Sequence, residues 1–132
     1  MKYKDLTEKI IGCSYRVYNT MGFGFLESVY EKCLLLELKK AGLQAQAQQP
    51  ITVFYEDEIV GAFVVDIIVE DAIILELKSI RQIITAHEVQ LVNYLTATHK
   101  DVGLLINFGE KRVEVKRKVR QLPKYSPERY SK

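Results

Sequence analysis

Apolar positions recur at a helical spacing in three segments of the chain. The spacing is three or four residues between residues 4 and 21, and it returns from Leu26 to Ala41 and over residues 86–98. Apolar side chains spaced in this way line one face of an α-helix. The sequence GFG at residues 22–24 breaks the first pattern, and Gly42 is a suitable end for the second. We therefore predict three amphipathic helices.

Between the second and third helical segments the pattern changes to short runs of apolar and β-branched residues. The runs are ITVFY at residues 51–55, IVGAFVVDIIV at 59–69 and AIILELK at 72–78, and they predict a meander of antiparallel strands. VGLLINF at 102–108 is typical of a strand buried on both faces, and RVEVKRKV at 112–119 of an edge strand. The order α-α-β-β-β-α-β-β predicts an α/β domain with helices covering a mixed sheet.

Composition limits the class of protein. A chain of 132 residues with 48% hydrophobic and 27% charged residues is typical of one globular domain, which we expect to cover residues 1–120. No apolar run is long enough for a membrane helix, and the first ten residues are too polar for a secretory signal. Cys13 and Cys33 lack the spacing of a metal site, so a reduced, cytoplasmic setting is the simplest interpretation.

Charge is distributed unevenly along the chain. Residues 111–132 hold 9 Lys and Arg against 2 Asp and Glu, whereas residues 1–110 hold 10 against 15. A basic segment suits a polyanion such as nucleic acid, and a solvated edge strand followed by a terminus explains the composition equally well. Residues 121–132, which contain Pro123 and Pro127, are predicted to form a basic C-terminal tail.

Three charged residues lie inside the apolar strand segments. Asp66 interrupts FVVDIIV, and Glu76 and Lys78 interrupt AIILELKS two positions apart, which places them on the same face of a strand. Burying such a charge without a partner costs several kcal/mol. A buried ion pair that includes Lys78 would satisfy them, and so would a functional site built from the two carboxylates.

The length of the turn between the second and third strands decides whether Asp66 and Glu76 meet. A three-residue turn at residues 70–72 places Asp66 opposite Glu76, with Lys78 two positions along the same face. A two-residue turn would place Asp66 opposite Leu75. We predict the three-residue turn, in which the opposed carboxylates need a cation between them. Hard oxygen ligands of this kind suit Mg²⁺ or Mn²⁺.

Together these residues resemble a known signature. Asp66 followed by ELK at residues 76–78 is similar to the motif of the PD-(D/E)xK nuclease superfamily. QLVNY at 90–94 resembles the QxxxY motif of its RecB-like branch, and GFLESVY at 24–30 matches the motif of the small bacterial GxxExxY family. The resemblance covers residues 6–118.

The resemblance implies a restriction-endonuclease-like core in which one helix and the central sheet supply a metal site. By position, Asp66, Glu76, Glu27 and the backbone carbonyl of Leu77 would hold Mg²⁺ or Mn²⁺. Lys78 would orient or help to deprotonate the attacking water and offset charge on the phosphate. Asp66, Glu76 and Lys78 would then be the catalytic set.

Four further residues are implied to brace the site or to contact nucleic acid: Gln90, Tyr94, Tyr30 and His87. Gln90 and Tyr94 are four apart and so share one helix face. His87 lies close enough along that helix to reach the same region, although a His in this position is more often a helix-start or surface residue.

The activity that the resemblance implies is metal-dependent hydrolysis of phosphodiester bonds in nucleic acid, with DNA as the expected substrate. Tyr18 stands near the position where the family commonly has a His. The alternative is therefore an inactive nucleic-acid-binding or protein-interaction module that keeps the fold. Homodimers and larger assemblies are common among small nucleases of this kind.

Overall fold

The helices and strands follow one another in the predicted order. The computed structural model describes residues 1–120, and the predicted basic tail at 121–132 lies outside the described residues. The elements are α1 (Lys4–Met21), α2 (Glu27–Lys40), β1 (Ala45–Tyr55), β2 (Glu58–Val69), β3 (Ile73–Lys78), α3 (Thr85–Thr98), β4 (Val102–Phe108) and β5 (Val113–Val119). Within the described residues, no helix is both long and apolar enough to cross a membrane.

The five strands form one mixed sheet in the order β1-β2-β3-β4-β5. β1, β2 and β3 are the predicted antiparallel meander, and β4 and β5 are also antiparallel. β3 and β4 are parallel, because α3 carries the chain back across the sheet between them. Every residue of β4 is buried, as its apolar sequence predicts, and β5 lies at an edge.

The sheet separates two apolar cores. Helices α1 and α2 cover one face, where Ile10, Val17, Leu34 and Leu38 pack against alternate residues of β3 and β4. Helix α3 covers the other face with the fully buried side chains of Leu91 and Leu95. A sheet with helices on both faces explains why the central strands are apolar almost throughout.

Strand β1 begins six residues before the predicted run ITVFY. The added segment AQAQQP has side chains that alternate between half-buried and exposed. Ala and Gln have little intrinsic preference for strands, so this segment gives no apolar signal. Its pairing with β2 makes it a strand, and Pro50 is tolerated because β1 is an edge strand.

The register of the β2–β3 hairpin is the one that the three-residue turn predicts. Val69 pairs with Ile73, and Ile67 pairs with Leu75. The ladder stops there, so Asp66 and Glu76 do not continue it as a regular cross-strand pair. On its other edge β3 pairs with β4 along its whole length, from Ile73 with Val102 to Lys78 with Asn107. The two strands of the hairpin therefore separate at the position of the acidic residues.

Candidate active site

At Asp66 the side chains of strand β2 change the face of the sheet on which they lie. Val65 is buried in the core beneath α3, whereas Ile67, two residues further on, is buried in the core beneath α1 and α2. In a regular strand these two side chains would share a face. The β1–β2 ladder skips Asp66 and the residue opposite it, Gln48, which has a left-handed φ of 52°. Such local irregularities re-aim side chains, and this one lies beside the predicted site.

Asp66 and Glu76 occupy the gap in which the two strands separate. The backbone N–H of Leu77 donates to Asp66 Oδ2 at 2.7 Å, and the backbone N–H of Asp66 donates to Glu76 Oε1 at 3.2 Å. Each carboxylate thus binds the backbone of the opposite strand. These two bonds replace the ladder bonds that a regular hairpin would have, so the acidic side chains are positioned by the main chain itself.

Burial makes this pair of acids electrostatically unfavourable without a cation. Desolvation, and after it the charge of Asp66, raise the pKa of Glu76 to about 8 against the opposing effects of the Asp66 N–H and Lys78. Desolvation also raises the pKa of Asp66, against the Leu77 N–H bond and the charge of Lys78. Near neutral pH the pair therefore retains a proton until positive charge replaces it.

A small cavity opens in front of Asp66 toward the start of α2. Its volume is about 160 Å³, and it is lined by Glu27, Ser28, Glu31, Gln48, Asp66 and Leu77. Glu27 is exposed at its rim, and the charge of Glu27 contributes to the raised pKa of Glu76. Within residues 1–120, no three His, Cys, Asp or Glu side chains are gathered closely enough to hold a metal ion. The fold thus brings two acids together and leaves the third nearby.

Tyr30 holds the loop that carries Glu27. Its ring is fully buried and stacks on Phe108, with centroids 4.4 Å apart. Its hydroxyl donates to the Gly22 carbonyl and accepts the backbone N–H of Phe25 at 3.4 Å. Of the two implied roles for Tyr30, bracing matches these contacts. The GxxExxY pattern therefore has a local physical meaning, because the Tyr fixes the backbone that precedes the Glu.

A second contact ties the same loop to the end of β3. The Ser79 hydroxyl donates to the Phe25 carbonyl at 2.7 Å. Ser79 directly follows Lys78, so the start of α2 and the end of the acidic strand are joined by one hydrogen bond.

Helix α3 brings Tyr94 toward the acids. The Tyr94 ring stacks on Phe63 with centroids 4.0 Å apart. Burial raises the pKa of Tyr94, and the charges of Glu76 and Asp66 raise it further, so the hydroxyl lies within the field of both carboxylates. Gln90 is exposed one turn earlier on the same helix.

His87 and Tyr18 both make contacts with the backbone of the fold. His87 Nδ1 accepts the backbone N–H of Ile84 at 3.3 Å, which is the contact of a helix-start residue. The Tyr18 hydroxyl donates to the carbonyls of Gly109 at 2.6 Å and Glu110 at 3.3 Å. Tyr18 therefore ties α1 to the turn between β4 and β5.

The sequence did not single out two residues that shape the site. Gln48 lines the cavity and donates from Nε2 to Glu31 Oε1 at 2.7 Å, and Ser79 tethers α2. Ser79 ends the stretch AIILELKS, so its position after Lys78 was a usable signal. Gln48 gave none, because its role depends on a left-handed backbone and on the strand opposite.

Comparisons with known proteins agree with this fold. The model of the PD-(D/E)XK nuclease superfamily matches residues 4–118. No curated protein matches the chain. Among solved structures, the crystal structure of SSO0001 superposes with a TM-score of 0.60 at 18% sequence identity, over 92% of this chain and 62% of that one. The chain thus spans less than two thirds of that protein, and at this identity the likeness concerns the fold alone.

Proposed function

We propose, from the premise that this chain belongs to the PD-(D/E)XK nuclease superfamily, that it is a Mg²⁺- or Mn²⁺-dependent nuclease that hydrolyses phosphodiester bonds in nucleic acid. The observation that carries the proposal is the reciprocal bonding of Asp66 and Glu76 in a desolvated gap beside Lys78. A structural ion pair would not require two neighbouring acids with raised pKa values.

The residues present fit a divalent cation. Two carboxylates with little solvent lie together, and burial and mutual repulsion raise the pKa of Glu76 to about 8. A hard cation relieves both effects, and oxygen ligands are the ones that Mg²⁺ and Mn²⁺ prefer. Asp66, Glu76 and the carbonyl of Leu77 would hold it, with Glu27 as a further ligand, direct or through water. When bound, the cation supplies positive charge to the phosphate and favours the ionised form of water.

The remaining side chains act on the substrate and on the attacking water. Lys78 lowers the pKa of both acids, so its charge reaches the reacting centre, where it orients the water and offsets charge on the phosphate. Tyr94 and Gln90 line the approach from α3 and bind the nucleic-acid backbone. Tyr30 fixes the loop of Glu27, and His87 fixes the start of α3.

Finer assignments belong to the same proposal. The motifs GFLESVY at 24–30 and QLVNY at 90–94 favour the bacterial GxxExxY family and the RecB-like branch, with DNA as substrate. Cys13 and Cys33 are both free thiols, which suits a reduced cytoplasm. Small nucleases of this kind often work as dimers or within larger assemblies, so a homodimer or larger assembly is one form in which the chain could act. Residues 1–120 are the nuclease unit.

The test is cleavage of labelled single-stranded DNA, double-stranded DNA and RNA with Mg²⁺ or Mn²⁺. We expect Asp66→Asn, Glu76→Gln and Lys78→Ala each to lower the rate by roughly a hundredfold or more. Lys32→Ala, which removes an exposed lysine of α2, is the matched control and should retain the rate. Cleavage that persists in all three site variants would show that another site is responsible.

A second candidate function follows from two observations. Glu27 is not gathered with Asp66 and Glu76 into a three-acid cluster within the described residues, and Tyr18 is engaged with the β4–β5 turn. A chain that binds nucleic acid or a protein partner and never cleaves would fit both. Salt-sensitive DNA binding by the wild type, with no product under any metal condition, would favour this candidate.

A further inference from the structure

A groove separate from the small cavity in front of Asp66 lies beyond the carboxyl ends of β3 and β4. The loop that follows Lys78 and the turn that joins β4 to β5 form its two sides. Its volume is about 430 Å³, and its lining residues are Arg81, Gln82, Glu110, Lys111, Arg112 and Glu114. The three basic residues are exposed, and they come from both sides of the groove. In open α/β sheets, ligands bind outside the carboxyl ends of parallel strands, and β3 and β4 are the parallel pair.

Asn107 holds the two sides of the groove together. Its side chain is fully buried, and its Oδ1 accepts the backbone N–H of Ile80 at 3.0 Å. Its Nδ2 donates to the Ile80 carbonyl at 2.9 Å and to Glu114 Oε1 at 3.0 Å. The backbone N–H and the backbone carbonyl of Ile80, the residue before Arg81, are therefore both held by Asn107.

The turn on the other side is equally constrained. The backbone N–H of Gly109 donates to the Arg112 carbonyl at 3.1 Å, and a Cβ on Gly109 would lie 2.7 Å from that same oxygen. Only glycine allows so close an approach. Tyr18 also donates to the Gly109 and Glu110 carbonyls from α1. Lys111 and Arg112 thus project from a rigid turn.

The groove begins shortly after Lys78, the residue that stands beside Asp66 and Glu76. Asn107 pairs in register with Lys78, and the groove begins three residues after Lys78, at Arg81. If a nucleic-acid strand with one phosphate at Lys78 continues in the direction of β3, its next phosphates lie beyond the end of β3. The fixed loop places positive charge in that direction.

The charges of the groove are only partly compensated. Arg81 pairs with Glu110 at 3.2 Å, but its side chain is 85% exposed, so the pair is weak and screened by solvent. Glu114 is engaged with Asn107. Within the described residues, neither Lys111 nor Arg112 has an acidic partner among the ion pairs of the structure. A phosphate can therefore compete for Arg81 and meet two further cations.

We infer that this groove binds the phosphate backbone of the nucleic-acid strand next to the scissile phosphate, through Arg81, Lys111 and Arg112. The inference rests on the proposed nuclease function and extends it with a substrate-binding surface. Glu110 acts against binding, because it shares Arg81 with the incoming phosphate.

The test measures binding of a fluorescent single-stranded DNA, and of its duplex, in EDTA over a series of salt concentrations. The double variant Lys111→Ala/Arg112→Ala should weaken binding about tenfold or more and reduce the salt slope by roughly 1.4 for single strands. Glu110→Gln should strengthen binding. Lys32→Ala/Lys39→Ala removes the same charge from exposed positions on α2 and should change affinity less than about twofold.

Three results would overturn the inference. They are equal losses in the two double variants, no loss in Lys111→Ala/Arg112→Ala, and a wild type that binds neither DNA at low salt. Because EDTA removes metal-dependent cleavage, binding is read independently of catalysis. If the wild type cleaves DNA in Mn²⁺ and Lys111→Ala/Arg112→Ala binds DNA as tightly as the wild type, the groove is refuted. The nuclease function is then still supported. Binding through the groove without cleavage supports the groove and refutes catalysis.

Discussion

Asp66 and Glu76 each hold the backbone of the strand that carries the other. Asp66 accepts the N–H of Leu77 at 2.7 Å, and Glu76 accepts the N–H of Asp66 at 3.2 Å. Two acids that repel one another are thus fixed side by side by donors that cannot move away. The hydrogen bonds hold the two carboxylates in place, whereas burial and mutual repulsion disfavour their ionised forms. These opposing effects can be measured.

The stability of the protein should depend on pH through Glu76. Its pKa is about 8 in the folded chain and near its ordinary value of 4.5 in the unfolded chain. As pH rises between these two values, the unfolded chain loses the proton first, so the free energy of unfolding falls. Glu76→Gln cannot ionise and can still accept the Asp66 N–H. We expect its melting temperature to gain roughly 5 °C or more over the wild type above about pH 8, relative to the difference near pH 5.

The control for this measurement is Glu58→Gln, which removes an exposed carboxylate from β2. Its pH profile should follow that of the wild type, because the Glu58 side chain lies at the surface and leaves Glu76 unchanged. Parallel profiles of Glu76→Gln and the wild type would contradict the assignment of the raised pKa.

Divalent cations should stabilise the wild type near neutral pH. A ligand that binds only the folded state adds about 2.7 kcal/mol at a hundredfold excess over its Kd. Mg²⁺ or Mn²⁺ should therefore raise the melting temperature by several degrees, and Asp66→Asn should abolish the rise. Differential scanning fluorimetry with a metal titration measures both. Equal rises in the wild type and Asp66→Asn would place the bound ions elsewhere.

Loss of the Tyr30 hydroxyl should destabilise the fold and loosen the loop of Glu27. Tyr30→Phe keeps the stack on Phe108 and removes the bonds to Gly22 and Phe25. We expect a loss of about 1–3 kcal/mol in the free energy of unfolding, since two backbone groups lose their partner. Urea denaturation measures this loss. Tyr15→Phe, at an exposed position of α1, should be neutral, and a neutral Tyr30→Phe would contradict the bracing role.

Gly103→Ala should destabilise the contact between α3 and β4. A Cβ there would lie 2.8 Å from Leu91 Cδ1 and 3.2 Å from the Ile74 carbonyl. Overpacking of this kind costs about 1–3 kcal/mol. Gly12→Ala is the matched control: its Cβ would meet only Arg16 Nη1 at 3.8 Å, and Ala in the helix interior should add about 0.5–1 kcal/mol. Chemical denaturation of both variants should therefore give shifts of opposite sign.

Much of the fold follows from local sequence pattern. The spacing of apolar residues predicted the three helices, and the three-residue turn that was chosen over a two-residue turn predicted the register of Val69 with Ile73. The first half of β1 was not predicted, because AQAQQP has no apolar periodicity of its own. That segment becomes a strand only because β2 offers it a partner.

The sequence by itself determined which residues form the candidate site, because Asp66, Glu76 and Lys78 are charged residues within apolar strands. The length of the turn between β2 and β3 decides whether Asp66 and Glu76 lie close together. Tertiary structure decided how the acids are held. β2 pairs with β3 only at Ile67, Ile68 and Val69, whereas β3 pairs with β4 along its whole length on its other edge. The backbone donors of Asp66 and Leu77 are then free to bind carboxylates. No local pattern encodes that separation, because it coincides with the change of facing at Asp66 and with the left-handed backbone of Gln48 on the strand opposite.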